Sequence, residues 1–172
     1  MFFNSLTFAV FLPIVFLLYW FVFSKTKTFQ NTFLVVVSYY FYSCWDWRFL
    51  FLLLFSTLLC YVTGIKIEKS TQDRERKFWF WLSIIFNLGF LAIFKYYNFF
   101  AFSFSEALNN IGIKSSPILL DVILPVGISF YTFHGLSYVI DIYYKRINSE
   151  KDVIDYALFV SYFPLLVAGP IE

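Results

Sequence analysis

Four stretches of this chain run 17 or 18 residues without a charged side chain: 6–23, 29–45, 49–65 and 78–94. At ~1.5 Å of helical rise per residue each reaches roughly 26 Å, close to the ~30 Å hydrocarbon core of a bilayer. Lys, Arg, Asp and Glu fall into a few short clusters separated by long uncharged runs. A soluble domain spreads its charges along the chain, whereas only 14% of these 172 residues are charged and 60% are apolar. Aromatic residues, 26% of the chain, would suit a sheet-based core as well as a membrane. Run length decides for membrane-crossing helices.

Run 6–23 has neither a basic leading region nor a small-residue cleavage site, so it reads as a span and not as a removable leader. Pro13 is expected to kink it without ending it. Run 29–45 is rich in Val and Tyr, and a strand competes until the WDWR of 45–48, where Trp beside charge marks a membrane–water interface. After Lys95 come nine residues, YYNFFAFSF (96–104), too short to cross alone, and these are expected to form a separate interfacial or re-entrant piece. Segment 118–144 is long enough to cross but carries Asp121, Pro125, Gly127, His134 and Asp141, which predicts a helix broken near Pro125 and Gly127. Segment 153–171 is interrupted by Pro164 and by Gly169 with Pro170, leaving open whether it crosses or enters and returns. The expected fold is all-α, a polytopic transmembrane helical bundle of about five to six membrane segments. Residues 1–172 form one membrane domain without internal repeats.

Ten Lys and Arg (Lys25, Lys27, Lys66, Lys69, Arg74, Arg76, Lys77, Lys145, Arg146, Lys151) fall on one side of the alternating spans, and three (Arg48, Lys95, Lys114) on the other. The bias places the larger set in the cytoplasm and the N-terminus outside the cytoplasm.

The stretch LPVGISFYTFHGLSYVID (124–141) sets polar groups at membrane depth, where an unsatisfied one is costly. On a helix beginning after Pro125, His134, Ser137, Tyr138 and Asp141 share one face, a candidate passage-lining or structural stripe that should point into the bundle. His134, the only histidine, could serve as a general base or pH switch, but a lone intramembrane histidine with Ser and Tyr neighbours reads better as a hydrogen-bonded packing element. Asp141 is expected to pair with Lys145 at i,i+4, and Lys95 to snorkel outward from its span.

No Gly-rich phosphate loop, nucleophile elbow or metal-ligand cluster is present in the sequence, so neither a catalytic set nor a metal site is expected in this chain. Cys44 and Cys60 show no CxxC spacing and read as inert packing residues. A net charge of +2 argues against a nucleic-acid partner.

Three passages together resemble the N-terminal part of the membrane-bound O-acyltransferase family, in its bacterial branch of alginate O-acetylases and teichoic-acid D-alanyl transfer proteins. They are FFNSLTFAVFLPIVFLLYW with SYYFYSCWDWRFL, then ILPVGISFYTFHGLSYVIDIYY, then DYALFVSYFPLLVAGPIE. The resemblance implies a bacterial inner-membrane enzyme that moves an acyl group, acetyl foremost, from a cytoplasmic thioester donor to a hydroxyl of an extracellular polysaccharide or envelope polymer. Acetyl-CoA or an acyl carrier protein is the implied donor, and an extracytoplasmic acetylation protein a possible partner. Family members are longer, and their intramembrane catalytic histidine has no counterpart here, so the chain reads as the N-terminal fragment of such a protein. Glutamine is common in the family at the position of His134. A multi-spanning transporter and a non-catalytic membrane scaffold are the competing readings, since broken helices with polar groups at midplane also mark transport sites.

Overall fold

Side-chain caps set four of the helix starts: Ser5, Thr26, Asp46 and Asp152 each accept a hydrogen bond from a backbone N–H two or three residues on, satisfying donors the first turn leaves open. The computed structural model describes residues 5–23, 26–111 and 127–168. Among the described residues every regular element is helical: α1 (Leu6–Leu17), continued by a π-helical turn (Leu18–Val22), α2 (Lys27–Ser43), α3 (Trp47–Lys69), α4 (Asp73–Asn110), α5 (Ile128–Tyr143), α6 (Val153–Ser161) and α7 (Phe163–Ala168). α3 and α4 are long and apolar enough to cross a membrane, and shorter apolar helices run over Leu6–Val22 and Val153–Leu166. α1 continues through Pro13.

The structure corrects the expectation of a separate piece at 96–104. α4 is one helix of 38 residues that carries straight through Lys95 and YYNFFAFSF to Asn110. No Pro or Gly lies between Gly89 and Gly112 to stop it. The cation at Lys95 is accommodated beside the helix: its Nζ donates to Ser129 Oγ at 3.4 Å and lies 5.4 Å from the Tyr96 ring centroid.

The expected break near Pro125 falls outside the described residues, as do Asp121 and Lys114. Gly127, at the start of α5, is left-handed, with φ 76°. A Cβ there would also collide with the Leu166 carbonyl, so both conformation and space require glycine. The run from 153 splits at Tyr162 into α6 and α7, because a continuous helix would set the Pro164 ring against the Val160 carbonyl.

α3 lies centrally, packing against α2, α4, α5 and α6. Leu53, Ile67, Tyr131, Val139, Tyr156 and Leu166 anchor the main core, and Val15, Val37, Phe41 and Phe163 form a second one where α1, α2 and α7 meet. The polarity of α4 is inverted relative to a soluble helix: Ser83 (0% exposed) and Asn87 (2%) point inward while Ile85 is 64% exposed. Water would reject that outer face, and an apolar solvent accepts it.

Replacing Gly127 by alanine in the full-length protein should cost about 1–3 kcal/mol, the usual penalty for a non-glycine residue held in this region. It is expected to lower the thermal unfolding midpoint in detergent. An unchanged midpoint would refute the strain described here.

Candidate functional site

α5 carries the predicted stripe, and the structure separates its members. His134 and Tyr138 are buried, whereas Ser137 and Asp141 are half-buried. His134 packs its ring edge-on to Phe159 of α6 at 5.7 Å between centroids, and its Nε2 has no hydrogen-bond partner among the described residues. Among the described residues its ring is held by packing. Ser137 Oγ turns back to donate to the His134 carbonyl at 3.0 Å, as Ser does within apolar helices.

Tyr138 packs against Tyr156 at 4.5 Å between centroids, and its hydroxyl accepts from the Glu150 N–H at 2.8 Å. Asp141 pairs with Arg146 at 3.1 Å, which corrects the expected Lys145 partner. The helix ends at Tyr143 and Lys145 is left-handed with φ 59°, so the i,i+4 register no longer holds where Lys145 would need it. Pro125 of the predicted site lies outside the described residues, and Gly127 acts on the backbone alone.

A second polar group, which the sequence reading passed over, joins α3, α4 and α5. Ser56 Oγ donates to Asn87 Oδ1 at 2.5 Å, and Asn87 Nδ2 donates to Cys60 Sγ at 3.2 Å and to the Ser83 carbonyl at 2.9 Å. Cys60 Sγ lies 3.6 Å from Ser83 Oγ. Gly135 brings α5 onto this cluster, since a Cβ there would come within 2.9 Å of Cys60 Sγ. The signal was available in the sequence: Ser56 with Cys60 and Ser83 with Asn87 are both i,i+4 pairs of small or polar residues inside otherwise apolar runs. Cys60 is buried and belongs to this cluster, while Cys44 is exposed at the α2–α3 turn.

One end of the bundle gathers the basic helix termini. Glu68 of α3 accepts from both the N–H and the hydroxyl of Ser149, Tyr61 Oη donates to the Lys151 carbonyl at 2.7 Å, and Arg76 of α4 donates to the Tyr143 carbonyl at 2.7 Å. Asn31 of α2 donates to Asp155 of α6 at 2.7 Å. These ties bring together the segments that carry Lys27, Lys66, Lys69, Arg74, Lys77, Lys145 and Arg146. Arg48 opens α3 at its other end. Among the described residues no group of three or more His, Cys, Asp and Glu is placed to hold a metal ion.

A double-mutant cycle between Ser56→Ala and Asn87→Leu should reveal a coupling of roughly 0.6–1.7 kcal/mol, the range for interhelical polar contacts in membranes. Strictly additive losses in unfolding free energy would show that the two helices are not tied through this contact.

The chain aligns with curated proteins over 94% of its length. It is 38% identical over 163 residues to the probable alginate O-acetylase AlgI of Pseudomonas aeruginosa and 37% identical over 163 residues to that of Pseudomonas syringae, covering 31% of each. It is 33% identical over 187 residues to the peptidoglycan O-acetyltransferase of Helicobacter pylori, covering 34% of that protein. The chain thus spans about a third of the length of these relatives. No family model matches the chain, and no solved structure matches it. The apolar helices and this homology mark a membrane-associated bacterial protein. By this alignment the chain is homologous to the N-terminal third of the alginate and peptidoglycan O-acetylases of the membrane-bound O-acyltransferase family.

Proposed function

We propose that this chain forms part of the wall of a membrane passage in an O-acyltransferase that carries an acetyl group from a cytoplasmic thioester to a hydroxyl of an extracytoplasmic envelope polymer. The observation that carries the reading is the alignment of 94% of the chain, at 33–38% identity, with proteins named as alginate O-acetylases and a peptidoglycan O-acetyltransferase. Acetyl-CoA or an acyl carrier protein would supply the acetyl group as substrate. An extracytoplasmic acetylation protein is the expected partner on the acceptor side.

The polar-inside, apolar-outside packing of α3, α4 and α5 supports a polytopic bundle of five to six membrane segments. The gathering of basic helix ends supports placing that end in the cytoplasm and the N-terminus outside. No catalytic residue is proposed within the chain. His134 is enclosed by packing, Ser137 bonds its own helix, and Tyr138 and Asp141 bond to the α5–α6 connection. Acid–base work on the acceptor hydroxyl is assigned to the histidine that the family resemblance expects elsewhere in the whole protein.

Transfer of labelled acetyl to envelope polysaccharide by membranes containing the full-length protein tests the proposal. Label should move with wild type and with His134→Gln at comparable rates and abundance. Absence of transfer by wild type would remove the acetyltransferase reading, and loss with His134→Gln alone would make His134 functional.

Orientation has its own test. In spheroplasts, a membrane-impermeant maleimide should label Cys44 from outside, as judged against Cys44→Ser, and should leave Cys60 unmodified. Labelling of Cys44 only after lysis would invert the proposed topology.

A further inference from the structure

On the face of α4 turned away from the Asn87 cluster, Arg74 and Lys77 stand above Phe78, Trp81, Ile85 and Phe86 in a surface groove of about 370 Å³. These positions follow the i, i+3, i+4 rows of a helix, so they form one continuous stripe. From Arg74 to Phe86 the helix rises ~18 Å, close to the depth of one leaflet, half of a ~30 Å core plus the start of its headgroup layer. The stripe is thus cationic at the level of the phosphates and apolar along the level of the acyl chains.

The two cations are also unengaged. Among the described residues the ion pairs are Arg76 with Asp73 and Arg146 with Asp141, and neither Arg74 nor Lys77 has a carboxylate within ion-pair distance. Asp73, one helical turn before Lys77, is directed at Arg76 instead, at 3.9 Å. Arg76 faces inward, donating to the Tyr143 carbonyl and lying 5.4 Å from that ring's centroid. Lys66 lies over Trp79, at 5.8 Å from its ring centroid. Arg76 and Lys66 are spent on the fold, whereas Arg74 and Lys77 face out.

We propose that this groove binds one anionic phospholipid, its phosphate held between Arg74 and Lys77 and its acyl chains laid along Phe78, Trp81, Ile85 and Phe86. Charge complementarity selects this occupant: an apolar helix seated in the groove would cover two cations without pairing them, and a zwitterionic lipid would bring its own ammonium group to the same place. The inference rests on the membrane placement of α4 and is independent of acetyl transfer.

The test uses full-length protein in phosphatidylcholine vesicles with a minor fraction of phosphatidylglycerol, with bromine on the acyl chains of one lipid or the other. The Trp81 contribution is the difference in fluorescence quenching between wild type and Trp81→Phe. At equal mole fraction, brominated phosphatidylglycerol should quench Trp81 more strongly, with a preference of roughly fivefold per cation. Rising salt should reduce that preference in wild type, and Arg74→Gln with Lys77→Gln should abolish it while quenching by phosphatidylcholine persists. Equal quenching by both lipids in wild type, or a preference unchanged in the double variant, would overturn the proposal. Quenching of Trp81 by neither lipid would overturn it too, by showing that polypeptide covers the face.

Discussion

The bundle depends on hydrogen bonds made between helices where no water competes for them. Asn87 reaches three partners at once, Ser56 and Cys60 on α3 and the Ser83 carbonyl one turn back on α4. In an apolar solvent there is little hydrophobic gain in pressing one Leu-rich surface on another, so small side chains and polar contacts do the joining. The helices approach closely where side chains are slight. Gly64 meets the Tyr138 ring, and Gly135 meets Cys60. Large apolar residues also cover the outside, among them Phe51, Trp81 and Ile85.

From that joint the rest of the architecture follows. With α3 and α5 held together through Cys60 and Gly135, Tyr138 lies between α3 and α6, and its hydroxyl is placed to receive the Glu150 N–H. The α5–α6 connection is then fixed from below by Glu68 and Tyr61 of α3. A loop with this many ties is part of the rigid body of the bundle, and it sets the direction in which α6 starts. Tyr138 and Asp141 of α5 are consequently employed in holding that connection to the helix. A proposal that gives the chain walls and not a catalytic base agrees with how those side chains are used.

Much of this was legible in the residues. The four uncharged runs are helical over nearly all their length, in Leu6–Val22, Lys27–Ser43, Trp47–Lys69 and Asp73–Asn110, the form in which a long apolar stretch satisfies its own backbone. Arg76, Glu68 and Tyr61 tie α4 and α3 to the end of α5 and to the α5–α6 connection. Reading charge as a boundary misled at Lys95. A single cation can lie alongside a continuing helix when a neighbour offers an oxygen, and Ser129, 34 residues away in sequence, does so. Asp141 was misassigned for a related reason: the i,i+4 rule assumes a helix, and the chain leaves that conformation just before Lys145.

Composition and spacing along one strand of chain were enough to read the apolar solvent, the helical class, the run lengths and the likeness to the O-acetylases. Which polar residues meet was settled by how the helices pack. His134, Ser137, Tyr138 and Asp141 are spaced for one face of a helix, yet His134 and Tyr138 find their ring partners on α6, Tyr138 and Asp141 bond to the connection that leads to it, and Ser137 bonds its own helix. Ser56 and Asn87 are 31 residues apart, and nothing local brings them to 2.5 Å. Periodicity fixes the direction a side chain takes from its own helix axis. What waits in that direction depends on how the other helices pack, and that packing is a property of the whole bundle.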